Sequence, residues 1–100
     1  VNNVTITNNR IQGTTLAGTN SGTQGEAILL SGVRGNIDIS NNTLTKNAGA
    51  ALSLSNTSGN ANVKVIGNNI TDNFNSIGVN FGGTATGIAE IAKNTISSFG

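Results

Sequence analysis

A chain of 100 residues has room for one domain, and small polar groups fill most of it: Asn, Gly, Thr and Ser occupy 54 positions, and only 9% of residues carry charge. Without Cys or His it can build neither disulfides nor thiolate or imidazole metal sites, and five Lys+Arg scattered among four Asp+Glu leave no basic stripe for nucleic acid, with only Phe74, Phe81 and Phe99 available to stack on bases. No apolar run approaches the roughly 18 residues of a membrane span, and the opening Val1-Asn2-Asn3 carries no basic-then-apolar leader, which suggests a processed product or a piece of something longer.

The elements follow in chain order. Val4-Thr5-Ile6-Thr7 alternates apolar and polar side chains like a half-buried strand, Asn8-Asn9 turns the chain, and Arg10-Ile11-Gln12 resumes as a short strand with Ile11 out of phase with the first. Residues 13–25 hold no charge and no ring and form a variable loop. A third strand, Ala27-Ile28-Leu29-Leu30, precedes a connector from Ser31 to Gly35. The order then recurs: Ile37-Asp38-Ile39-Ser40, the turn Asn41-Asn42, Thr43-Leu44-Thr45, five residues from Lys46 to Ala50, the strand Ala51-Leu52-Ser53-Leu54 and a connector from Ser55 to Ala61. It recurs again with Val63-Lys64-Val65-Ile66, Gly67-Asn68, Asn69-Ile70-Thr71, Asp72 to Ser76, Ile77-Gly78-Val79-Asn80-Phe81 and Gly82 to Gly87. A fourth unit opens with Ala89-Glu90-Ile91-Ala92, Lys93-Asn94 and Thr95-Ile96-Ser97.

Unit starts at 4, 37, 63 and 89 lie 33, 26 and 26 residues apart, a period that means stacked supersecondary units rather than the disorder so polar a composition also allows. Three short strands per unit, no helical period and no Pro to break a ladder predict an all-β fold: a parallel β-helix of three coils and part of a fourth, spanning 1–100 as a single domain. Like then stacks on like. Ile6, Ile39, Val65 and Ile91 form one interior column and Ile11, Leu44, Ile70 and Ile96 another, with Ile28, Leu52 and Val79 in a third and Leu30, Leu54 and Phe81 in a fourth. Ala27, Leu29, Ala51, Ser53, Gly78 and Asn80 are expected to face outward.

The apolar-x-apolar pattern followed by an Asn turn and a further apolar position, and the order strand, short turn, strand, variable loop, strand, resemble the right-handed parallel β-helix repeats of the pectin-lyase-like superfamily. The resemblance runs from Val4 to Ser97. It implies right-handed coiling and places the leading strands in the family's second sheet, the strands after the Asn turn in its third, and Ile28, Leu52 and Val79 in its first. The rival, a left-handed hexapeptide solenoid, is not supported, since the units are not built from six-residue steps. The family includes polysaccharide lyases, glycoside hydrolases, phage tailspikes and adhesins such as autotransporter passengers. Its enzymes keep acids and a basic residue on the first sheet and neighbouring loops, where this chain offers none; Glu26 and Arg34, flanking one strand, are the nearest to a remnant. No catalytic, cofactor or metal residues are therefore expected.

Four polar groupings remain. Asn9, Asn42, Asn68 and Asn94 recur at one offset and are expected to form a structural ladder of side-chain amides; calcium ligation needs carboxylates these turns lack. Asp38, Lys64 and Glu90 should stack outward with alternating sign as an exposed ion ladder. Thr43, Thr45, Asn69, Thr71, Thr95 and Ser97 should form two outward columns of hydroxyls and amides, a candidate face for sugars or ice, although Thr is also simply a good strand residue. The sequons at Asn3, Asn41, Asn56 and Asn69 are expected from the composition. With neither end capped, solenoid edges invite further pairing. The expectation is an extracellular or cell-surface structural or adhesive module that binds no nucleic acid and inserts in no membrane. Its partners are further copies, flanking coils of the same protein, or polysaccharide; the rival is a non-catalytic segment of a polysaccharide lyase or hydrolase.

Overall fold

The structure is a computed structural model describing residues 2–14 and 25–97; most of the 13–25 loop, and Phe99, lie outside the described residues. Eleven strands and no helix appear among them: β1 (Asn2–Thr7), β2 (Arg10–Gln12), β3 (Ile28–Ser31), β4 (Arg34–Ser40), β5 (Thr43–Thr45), β6 (Ala50–Asn56), β7 (Asn60–Ile66), β8 (Asn69–Thr71), β9 (Asn75–Phe81), β10 (Thr86–Ala92) and β11 (Thr95–Ser97). Each strand pairs in parallel with the strand three places along the chain. The result is three sheets, here called the leading sheet (β1-β4-β7-β10), the short-strand sheet (β2-β5-β8-β11) and the returning sheet (β3-β6-β9). The architecture is all-β and solenoid-like.

Alternation decides which side chains meet inside. In β4 and β7, Ile37, Ile39, Val63 and Val65 are buried, while Asn36, Asp38, Asn62 and Lys64 between them are exposed. Leu44, Ile70, Ile28, Leu52 and Leu54 come from the other two sheets to close one core with them. The columns on the leading sheet are Val4, Ile37, Val63, Ala89 and Ile6, Ile39, Val65, Ile91; that on the short-strand sheet is Ile11, Leu44, Ile70, Ile96.

The returning sheet departs from the expected columns in its last strand. Ile28 pairs with Leu52 and then Ile77, and Leu30 with Leu54 and then Val79, while Phe81 lies opposite Asn56. Alternation fixes which face a residue takes but not a slip of two. Asn73 bonds to Asn47 26 residues earlier, whereas Asn75 pairs with Ala50 25 residues earlier. The stretch between that corner and the strand is therefore one residue shorter in the third coil than in the second. Ala51 is also not outward: it is 0% exposed and belongs to the core, and Ala27 packs against that core. Both alanines sit where the chain turns into the strand, before regular alternation begins, and are small enough to be enclosed there. The connectors after this sheet are shorter than expected, because β4, β7 and β10 already start at Arg34, Asn60 and Thr86.

Each corner turns through a left-handed residue. At the first, Asn8, Asn41, Gly67 and Lys93 have φ of 59°, 57°, 73° and 56°; at the second, Gly13, Lys46 and Asp72 have 75°, 58° and 59°. That conformation is disfavoured for residues with a Cβ, mildly for Asn and more so for Lys. Two glycines are required for space against backbone: a Cβ on Gly87 would run into the Ala61 carbonyl and the Phe81 ring, and one on Gly83 into the Thr57 carbonyl.

Candidate functional site

The first corner holds a ladder of amides. The backbone N–H of Asn9 donates to Asn42 Oδ1 at 3.0 Å, that of Asn42 to Asn68 Oδ1 at 2.9 Å, and that of Asn68 to Asn94 Oδ1 at 2.8 Å. Each Nδ2 also donates to the next Oδ1, at 3.3, 3.0 and 2.9 Å. The remaining amide hydrogens of Asn42, Asn68 and Asn94 go back to the carbonyls of Ile6, Ile39 and Val65. The left-handed residue comes first and aims the following Asn inward. Asn42 and Asn68 are buried there with their donors and acceptors engaged, as burial of amides demands.

A second ladder occupies the second corner. Thr14 N–H donates to Asn47 Oδ1 at 3.2 Å, and Asn47 donates both its N–H and Nδ2 to Asn73 Oδ1, at 3.2 and 2.8 Å. Asn47 and Asn73 donate back to the carbonyls of Ile11 and Leu44. At the third corner, Asn56 accepts from Val33 N–H at 2.9 Å and donates to Val33 O at 2.6 Å. Sequence reasoning missed both, yet a signal was present: Asn47 and Asn73 each stand five residues after a ladder Asn, behind a non-glycine residue at the turn. In the first unit Thr14 holds that place, which breaks the residue identity while keeping the backbone donor.

The candidate polar face is only partly a face. Columns Arg10, Thr43, Asn69, Thr95 and Gln12, Thr45, Thr71, Ser97 run along the short-strand sheet. Asn69, Thr95 and Ser97 are exposed, but Thr45 is 9% exposed and its hydroxyl bonds to that of Thr71 at 2.9 Å. The expected open array of hydroxyls is therefore interrupted where those two groups satisfy each other. Arg10 binds within its own strand, Nε donating to Gln12 Oε1 at 3.0 Å.

On the leading sheet, Thr5, Asp38, Lys64 and Glu90 align in one exposed outer column, and a shallow depression lies among Asn36, Asp38, Asn62 and Lys64. Another lies over Gly78 on the returning sheet, between Ser53 and Ser76. Arg34 is committed to the third corner. Its guanidinium donates to Gly32 O at 3.2 Å and to Ser58 Oγ at 2.8 Å. Glu26 and Arg34 stand at opposite ends of β3, not together. Among the described residues no group of three or more acidic side chains gathers to hold a metal ion, and no helix is long and apolar enough to cross a membrane.

The fourth coil leaves two isoleucines of the core columns open. Ile91 is 47% and Ile96 38% exposed, although their column neighbours Val65 and Ile70 are 1% exposed. Among the described residues, edge β10 pairs only with β7, and β11 only with β8. Comparison with protein-family models, curated proteins and solved structures finds no match to this chain.

Proposed function

We propose that the chain is a right-handed parallel β-helix of the pectin-lyase-like kind, three coils and part of a fourth, acting outside the cell as a non-catalytic structural or adhesive module. In this reading the solenoid is a stiff spacer, its sides make weak polar contacts with surfaces or glycans, and its end faces take further coils. The observation that carries it is the continuity of the columns. Apolar and amide ladders run unbroken through three coils and end on exposed isoleucines, so another coil in the same register would bury what Ile91 and Ile96 leave open. Electron microscopy and light-scattering mass across a concentration series test how the ends are used: filaments or growing mass support assembly between copies, and a monomer at every concentration contradicts that and leaves flanking coils of the same protein to cover them.

A glycan- or ice-binding short-strand sheet is the second reading, favoured by the two amide ladders that hold its three-residue strands in register on either side. Because Thr45 is buried, the informative replacements are Asn69→Lys and Thr95→Lys, at exposed positions. Loss of ice shaping or glycan retention in a folded variant supports this reading, and unchanged behaviour removes it.

A further inference from the structure

The two end faces match position by position. Residues 4–12 and 89–97 hold equivalent places in the first and fourth coils. The strand pairings put Ile6 in the column of Ile91 and Ile11 in that of Ile96, with Asn9 and Asn94 at the two ends of one amide ladder. The ladder is polar in direction. Asn94 accepts from Asn68 and gives one amide hydrogen to Val65 O; among the described residues its backbone N–H and second amide hydrogen have no acceptor. Asn9 donates to Asn42 and to Thr7 O, and among the described residues its Oδ1 receives nothing. One face therefore offers the donors that the other lacks.

Building on the stacking reading above, we propose that a second copy of the chain docks head to tail, its β1 on β10 and its β2 on β11, with Asn94 donating to the Asn9 Oδ1 of the incoming copy. The pairing continues the coil-to-coil interface already present three times in the chain. Ile6 covers Ile91 and Ile11 covers Ile96. No like charges oppose each other across the junction, where Thr5 meets Glu90, Asn8 meets Lys93 and Arg10 meets Thr95. A face-to-face pair of fourth coils cannot continue the ladder, because both sides then bring donors. The contact is heterologous and repeats without closing, so its product is a filament. It joins two of the three sheets, since β3 of the incoming copy falls two strand places beyond β9 and the place between them is skipped. The junction is therefore weaker than a coil contact within the chain and appears as protein concentration rises.

The chain has no Cys, so Thr5→Cys and Glu90→Cys, each at an exposed outward position, report the junction without background. In the proposed register their Cα atoms approach to about one strand spacing, ~4.8 Å, within disulfide reach. An Asp38→Cys/Lys64→Cys chain, adjacent in the same outer column, calibrates that reach internally. When the two single-Cys proteins are mixed at high concentration under mild oxidation, the mixed dimer should exceed both homodimers several-fold over a statistical mixture and fade on dilution. A dominant Glu90→Cys homodimer, or a statistical mixture with growing mass, overturns the head-to-tail register while leaving assembly through the ends intact. A statistical mixture from a protein that stays monomeric overturns both.

Discussion

The second and third coils and the fourth use the same residue types at the same offsets, yet they do different things. Ile39 and Val65 are 0% and 1% exposed where a coil lies on either side, and Ile91, in the same column, is 47% exposed with a coil on one side only. In a stack each coil supplies the surface that buries its neighbour, so stability belongs to the contacts between coils rather than to any coil alone. The middle coils hold the fold, and the end coil holds surface that another coil can use.

The sharpest way to break this comparison is to make one truncation in both regions. Ile39→Ala should cost about 2–5 kcal/mol by leaving a cavity in a closed core, whereas Ile91→Ala should cost about 1 kcal/mol or less, because roughly half of that side chain is already in water. Equal losses in chemical denaturation would contradict the division. The amides come next. Asn68→Ala strands the Asn42 N–H and the Ile39 carbonyl in the interior and should cost about 2–6 kcal/mol at about 1–3 per unsatisfied group. Asn9→Ala, exposed at the first coil, should cost under about 1 kcal/mol on the same scale. Asn73→Ala tests whether the second corner is held in the same way, since it strands the Asn47 N–H and the Leu44 carbonyl; a loss close to that of Asn68→Ala is expected.

A smaller effect has the opposite sign. Lys46 and Lys93 hold left-handed backbone at φ of 58° and 56°, so Lys46→Gly and Lys93→Gly should each raise stability by up to about 1 kcal/mol by relieving the Cβ conflict. A fall in melting temperature would show that their side chains do more than the backbone suggests. The smallest effect belongs to the exposed column: Lys64→Glu places three acids in a row at Asp38, position 64 and Glu90 and should cost a few tenths of a kcal/mol, shrinking with added salt.

Much of the fold was legible because its period is written in side chains. Alternation at Val4-Thr5-Ile6 and its three copies marked the leading strands, and the out-of-phase Ile11, Leu44, Ile70 and Ile96 required a corner between sheets. The slip in β9 was not legible. Ile77, Val79 and Phe81 alternate equally well in either of two registers, and the one adopted, with one residue fewer between the Asn73 corner and its strand than after Asn47, is a long-range pairing that alternation does not encode. Ala51 misled because alternation was extended one residue into a corner. Of the candidate site, the first amide ladder stood out by repetition, but the second was hidden by Thr14, whose backbone takes the role that a side-chain pattern search assigns to Asn. Burial of Thr45 was equally hidden, since an outward position on a strand says nothing about what a neighbouring hydroxyl will do.

Amide hydrogen exchange at two protein concentrations tests the central claim directly. The buried ladder amides of Asn42 and Asn68 should be strongly protected at both. The amides of Ile91, Asn94 and Ile96 should exchange quickly in dilute solution and gain protection as concentration rises and a further coil covers them. Protection at Ile91 to Ile96 that already equals that of the middle coils when dilute, and does not change on concentration, would contradict the account.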